Sequence, residues 1–132
     1  MITFLSSPKP FKGVDRENQY KAINNWKTLS KDVEIILFGD SEGIDEAGQD
    51  LGTIVVKDIP VSSNGIPYFE SISSYARDLG RFDIQIYLNC DILLGNIFDV
   101  LSLVKFENFL IIGQRIDLNE GVDIDFDSCK IS

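Results

Sequence analysis

The apolar positions of this chain follow two alternating patterns. Short, mostly apolar runs at Ile2–Leu5, Val33–Phe38 and Thr53–Val56 are bounded by polar or turn-forming residues, as expected of strands buried on both faces. Between and after them, apolar residues recur every three or four positions, at Tyr20, Ile23, Trp26 and Leu29, at Phe69, Ile72, Tyr75, Ala76 and Leu79, and at Ile97, Val100, Leu101 and Val104. This spacing predicts helices over about Arg16–Leu29, Phe69–Leu79 and Asn96–Lys105. Asp15 stands where an N-cap belongs. A shorter helix is predicted over Ile44–Leu51, with Gly52 as its stop, and Gly80 ends the Phe69–Leu79 helix. Asp83–Leu88 and Phe109–Ile112, the latter ended by Gly113, complete the predicted strands. The loop Asp58–Pro67 carries Asn64-Gly65, a turn signal.

Strand-helix alternation of this kind predicts an α/β fold, a three-layer α/β/α Rossmann-like sandwich with a mostly parallel sheet. A chain of 132 residues is expected to form a single domain over 1–132 with a real core. Residues 119–132 read as an edge strand or tail. Val122-Asp123-Ile124-Asp125-Phe126-Asp127 alternates strictly, which places acids toward water and leaves the apolar positions needing cover. A second copy of the chain would supply that cover, so a homo-oligomer is expected. A calcium loop does not fit, because its glycine and closing glutamate are missing.

Composition narrows the chemistry. The net charge of -9 disfavours nucleic acid and acidic membrane surfaces. An anionic small ligand would need a cation to bridge it. The chain has no histidine, so acid-base work would fall to carboxylates, lysine, tyrosine or the substrate. The two cysteines, Cys90 and Cys129, form no CxxC pair, which speaks against zinc and for a reduced, cytoplasmic setting. The N-terminus lacks the basic region of a signal peptide. No apolar run approaches the ~20 residues of a spanning helix.

Ligands of parallel α/β sheets collect beyond the carboxyl ends of the strands. Four polar segments are expected there: Ser6-Ser7-Pro8-Lys9, Gly39-Asp40, Asn89-Cys90-Asp91 and Gln114-Arg115. Neither GxGxxG nor GxxxxGK[ST] occurs after the first strand, and Ser6-Ser7 lacks the acids of a phospho-receiver. Asn89-x-Asp91 is the informative motif. An unpaired carboxylate between apolar segments is costly, and two oxygen donors at a strand end suit a hard cation, Mg²⁺ or Mn²⁺. Such an ion would hold a diphosphate.

With these features on one chain, the sequence resembles the nucleotide-binding half of a GT-A fold glycosyltransferase, a nucleotide-diphospho-sugar transferase. The resemblance is carried by Pro8-Lys9-Pro10-Phe11, Phe38-Gly39-Asp40, the segment Tyr87 to Leu94 that contains Asn89-Cys90-Asp91, and the segment Phe109 to Leu118 that contains Gly113-Gln114-Arg115. It spans about Phe4 to Asp127. It implies that Pro8 walls the nucleobase and that Asp40 accepts hydrogen bonds from the base or ribose. Asn89 and Asp91 stand at the family's DxD motif, Asp91 as metal ligand and Asn89 toward the ribose or a metal-bound water. Arg77 would reach a phosphate or the base, and Lys9 is well placed for a phosphate. The implied cofactor is Mn²⁺ or Mg²⁺, and the implied ligand is a nucleotide-sugar.

Two departures qualify the resemblance. Asn89 replaces an acid, which weakens cation binding. The family's acceptor-binding half, with its catalytic base, has no counterpart in residues 1–132. The chain is therefore expected to be part of an enzyme, to be completed by a partner chain, or to be a non-catalytic binding module. A nucleotidyltransferase is the weaker alternative.

Plainer roles stand beside these. Asp91 would cap a segment starting at Ile92, and Asp40 suits a turn after Gly39. Arg77 fits a solvated helix position, where an ion pair contributes only ~0–1 kcal/mol. Arg115 and Asp117 fit a loop salt bridge. Cys90 reads as a packed residue, since nothing nearby lowers its pKa, and Trp26 as core.

Overall fold

The computed structural model describes residues 2–95, 97–107, 109–112 and 117. They form two compact units that divide between Leu93 and Leu94. The first contains β1 (Ile2–Ser6), α1 (Gly13–Lys27), β2 (Val33–Phe38), α2 (Ile44–Leu51), β3 (Ile54–Val56), α3 (Phe69–Leu79) and β4 (Gln85–Tyr87). Its four strands make one sheet in the order β3-β2-β1-β4, and every pairing is parallel. The α/β class and the parallel sheet are thus as the sequence predicts.

Register decides which residues share a face. Leu5 aligns with Ile36 and Tyr87, and Leu5, Ile36 and Phe38 pack with Ile72 and Ala76 of α3. Phe4 aligns with Ile35 and Ile86 and points the other way. It stacks on Trp26 of α1, with ring centroids 5.5 Å apart. Helix α2 covers this second face as well: a Cβ added to Gly48 would stand 2.6 Å from Val55 Cγ2. The sheet is therefore covered on both sides. All five residues of β1 are buried, and its two polar members, Thr3 and Ser6, each make a side-chain hydrogen bond.

Local chemistry sets the boundaries. Gly52 closes α2 in a left-handed conformation (φ 68), the conformation glycine tolerates best. Asn64-Gly65 forms the expected turn: Gly65 has φ 79, the Ser62 amide donates to the Ile66 carbonyl at 2.8 Å, and Val61 bridges Pro67. Helix α1 starts earlier than expected. Lys12 is its N-cap, without a side-chain capping bond, and Asp15 lies inside the first turn. There its charge complements the helix dipole instead of capping an amide.

The second unit holds α4 (Ile97–Ser102), shorter than the periodicity predicts. The Leu103 and Val104 amides donate to carbonyls three residues back, Val100 and Leu101, so the helix ends in a tightened turn. The predicted fifth strand is corrected: Phe109–Ile112 pairs with no strand among the described residues. Leu110 is 85% exposed and Ile112 86%. A run of apolar residues marks a strand only where a neighbouring edge and covering layers receive it. Gln114-Arg115 and the alternating segment 122–127, with the oligomer expectation drawn from it, lie outside the described residues. No helix among them is long and apolar enough to cross a membrane.

The packing of α2 generates a test. Gly→Ala in a helix interior ordinarily stabilises by ~1 kcal/mol. Here the added methyl meets the stiff β-branched Val55, and overpacking of this kind costs about 1–3 kcal/mol. Gly48→Ala is expected to lower the urea midpoint, and Val55→Ala in the same chain to recover part of the loss. An unchanged or raised midpoint for Gly48→Ala alone would contradict the α2–β3 packing.

Candidate functional site at the strand tips

The strand order reverses direction at β1. From β1 the chain moves outward to β2 and β3, then returns to place β4 on the other side of β1. Ligands of such sheets bind at the reversal, beyond the carboxyl ends of the strands on either side of it, here β1 and β4. The tips of β1 and β4 are tied across it. The buried Ser6 hydroxyl donates to the Leu88 carbonyl at 2.7 Å, and the Leu88 amide donates to the Leu5 carbonyl at 3.2 Å.

The loop after β1 is held at several points. Gln19 of α1, buried against its surroundings, grips the Lys9 peptide from both sides. The Lys9 amide donates to Gln19 Oε1 at 2.7 Å, and Gln19 Nε2 donates to the Lys9 carbonyl at 3.0 Å. Ser41 Oγ donates to the Pro8 carbonyl at 2.5 Å, and the Phe11 amide to the Glu42 carbonyl at 2.7 Å. Pro8 is buried, while the Lys9 side chain stands in solvent. Gln19 was not singled out by sequence, yet a signal exists: it occupies the buried stripe with Ala22, Ile23 and Trp26, where a polar residue needs a partner.

At the tip of β2, Gly39 adopts φ 113 and donates its amide to the Val56 carbonyl at 2.9 Å. Asp40 follows, exposed, with Lys57 Nζ 3.5 Å from its carboxylate. Lys57 also bonds the Asp45 carboxylate of α2. The Asp45 hydrogen bond, supported by the charge of Asp40, raises the lysine above its ordinary pKa. Lys57 is a site residue that sequence reasoning missed; a lone lysine after a short strand carries no local signal.

At the tip of β4, burial alternates. Tyr87, Asn89 and Asp91 are exposed, Leu88 and Cys90 buried. The Ile92 amide donates to the Asn89 carbonyl at 3.2 Å, so the segment turns. Trp26 Nε1 pins that turn by donating to the Ile92 carbonyl at 2.8 Å. Residues 92–95 form no helix, and the Asp91 carboxylate accepts no hydrogen bond among the described residues. The capping role therefore has no helix to serve. Asn89 and Asp91 both present side-chain oxygens to water.

Pro8, Lys9, Asp40, Asn89 and Asp91 thus gather at one end of the sheet. Arg77 does not. It lies in the last turn of α3, near the amino ends of the strands, where the Arg81 amide donates to Glu34 Oε1 at 2.8 Å and the Phe82 amide to Thr3 Oγ1 at 3.3 Å. There Arg77 pairs with Asp78 at 3.5 Å.

The donor set fits a hard cation held jointly with a ligand. Among the described residues, no three of His, Cys, Asp and Glu cluster to hold an ion. Mg²⁺ ordinarily takes one or two protein carboxylates and completes its shell with water and substrate phosphates. Asn89 and Asp91 would supply that protein share. Elsewhere, an open groove of ≈ 400 Å³ runs beside α3, lined by Asp58, Ile59, Pro60, Glu70, Tyr75 and Leu79. It includes none of the strand-tip residues, so its volume says nothing about them.

Cys90 generates a test of the buried side of this tip. Burial pushes its thiol up to about 12, with the Ser6 side chain drawing it back in part and Asp91 raising it further. The folded state therefore holds the thiol proton while the unfolded state loses it above the ordinary value of 9.0. The thiol contributes its full stabilisation below pH 9.0 and loses it as pH rises toward about 12, at up to ~1.4 kcal/mol per pH unit. Cys90→Ala is expected to flatten the alkaline limb of a stability profile. Alkylation of the Cys90 peptide at pH 8, followed by mass spectrometry, should require denaturant; fast native labelling would contradict this placement. Compared with family models, curated proteins and solved structures, the chain matches none, so the reading of its function rests on the geometry above.

Proposed function

We propose that this domain binds a nucleotide-diphosphate sugar, bridged by Mn²⁺ or Mg²⁺ to the tip of β4, as a glycosyltransferase domain of the GT-A type. The observation that carries the reading is the position of Asn89 and Asp91. Two solvent-facing oxygen donors, with no hydrogen-bond partner among the described residues, stand where the sheet reverses direction, and ligands of such folds bind there. The acidic chain, with net charge -9, has little affinity of its own for a diphosphate, so a bridging cation resolves the repulsion.

The chain's own residues divide the remaining work. The rigid Pro8–Lys9 segment lines the β1 side of the site, and the Lys9 ammonium attracts the diphosphate. Asp40, steadied by Lys57, accepts hydrogen bonds from the nucleoside. The bound cation supplies charge neutralisation for the departing diphosphate when an acceptor hydroxyl attacks the anomeric carbon. The cytoplasm remains the setting of this reading. A second reading, a binding module without turnover, is favoured by Asn89, whose neutral amide holds a cation less firmly than a carboxylate.

Calorimetric titration of UDP, GDP, UDP-glucose and GDP-mannose, with and without Mn²⁺, tests the site. At least one ligand is expected to bind only with the metal. Asp91→Ala should weaken that binding by about 100-fold or more, at or above the upper end of what loss of a supporting partner costs. Arg77→Ala, at the far end of the sheet, should leave it unchanged. Metal-independent binding, or an Asp91→Ala variant with wild-type affinity, would overturn the assignment. Binding without transfer to any acceptor would select the second reading.

A further inference from the structure

Two aromatic rings beside the strand-tip site are left uncovered. Phe69, the first residue of α3, and Tyr87, the last of β4, meet edge-to-face with centroids 5.1 Å apart and planes at 83°. Tyr87 is 42% exposed and Phe69 60%, although aromatic rings gain most from burial. Tyr87 is the strand neighbour of Leu5, so the pair stands at the margin of the cluster that Leu5, Ile36, Phe38, Ile72 and Ala76 build on that face. Burial alternates past the end of β4, with Tyr87 and Asn89 exposed and Leu88 between them buried. An uncovered aromatic surface thus adjoins the oxygen donors, the combination of apolar wall and few polar groups that marks small-molecule sites.

We propose that the Phe69–Tyr87 pair is the platform on which the hexose ring of the ligand stacks, a step that rests on the nucleotide-sugar reading of the β4 tip. A pyranose has an apolar face of C–H bonds and a rim of hydroxyls. An aromatic ring meets the face, and a neighbouring amide, which both donates and accepts, meets the rim. Asn89 provides that amide two residues from Tyr87. The hexose is joined directly to the diphosphate, so a diphosphate at Asp91 brings the sugar within reach of the strand residues just before it. The nucleoside leaves the diphosphate in the other direction, across the β1 tip toward Pro8 and Asp40.

Calorimetry in Mn²⁺ with UDP, GDP, UDP-glucose and GDP-mannose separates the parts. Tyr87→Ala is expected to weaken the sugar conjugate about fivefold, the scale of one aromatic contact, and to leave the matching nucleoside diphosphate unchanged. Tyr87→Phe should retain wild-type affinity for the conjugate. Phe69→Ala reads the same contrast should Tyr87→Ala fail to fold by circular dichroism. Equal weakening of conjugate and diphosphate would mean that the nucleobase occupies the platform, which overturns the hexose assignment. Unchanged affinity for both in the two alanine variants overturns the platform. Absence of metal-dependent binding in the wild-type chain overturns the nucleotide-sugar reading itself, and this proposal with it.

Discussion

The parallel pairing of β1 with β4 is the constraint on which the site depends. Without it, Asn89 and Asp91 would end a lone edge segment with nothing opposite. With it, the Ser6 hydroxyl and the Leu5 carbonyl hold the backbone of Leu88 from the neighbouring strand. Lost loop entropy must be offset before such a pairing forms, because some 80 residues separate the partners. The offset comes from α3, whose Ile72 and Ala76 pack on Leu5, Ile36 and Phe38. The helix that returns the chain to β4 is therefore also what secures the junction.

A second layer of order surrounds this junction and is polar. Gln19 reads the Lys9 peptide, Ser41 the Pro8 carbonyl, and Trp26 the Ile92 carbonyl. Gln19 makes two of these neutral hydrogen bonds and Ser41 and Trp26 one each, every one modest in net worth but expensive to leave unmade in a buried setting. Their common effect is to fix loop backbone while leaving the side chains of Lys9, Asn89 and Asp91 in solvent. A fixed backbone narrows where those side chains can reach before a ligand arrives, and a bound ligand would have to supply the contacts that hold them. The same logic separates Cys90 from its neighbours: it is buried and held as a neutral thiol, packing beneath the donors rather than acting with them.

What was legible in the sequence follows from what is local. Val33–Phe38 lies between two partners and its apolar run alone announces it. Phe109–Ile112 has a comparable run and makes no strand among the described residues, because pairing depends on a receiving edge that no short window encodes. The tips of β1, β2 and β4 were foreseeable, since chain order and a parallel sheet send every strand's carboxyl end the same way. By that rule Arg77 could have been placed correctly too: a crossover helix runs antiparallel to the strands, so its last turn lies at their amino ends. Lys57 was out of reach, as its role arises only when β3 brings it beside Asp40 and Asp45. The exposure of Tyr87 has no local signature either, since it falls inside the strand predicted over Asp83–Leu88.

The limited donor set also bears on how ligand and cation would meet. A site with one carboxylate and one amide holds a hydrated divalent ion weakly by itself, since each ligand it loses from water must be matched. A diphosphate binds an acidic surface weakly by itself for the opposite electrostatic reason. Together they neutralise one another, so each raises the affinity for the other, and by the same factor. If the proposed site binds as argued, an amide at Asn89 would strengthen this mutual dependence, because fewer fixed charges leave more of the binding free energy to the pair. On this view the amide does not spoil the site. On the proposed reading, it would make occupancy conditional on the complete metal-nucleotide complex.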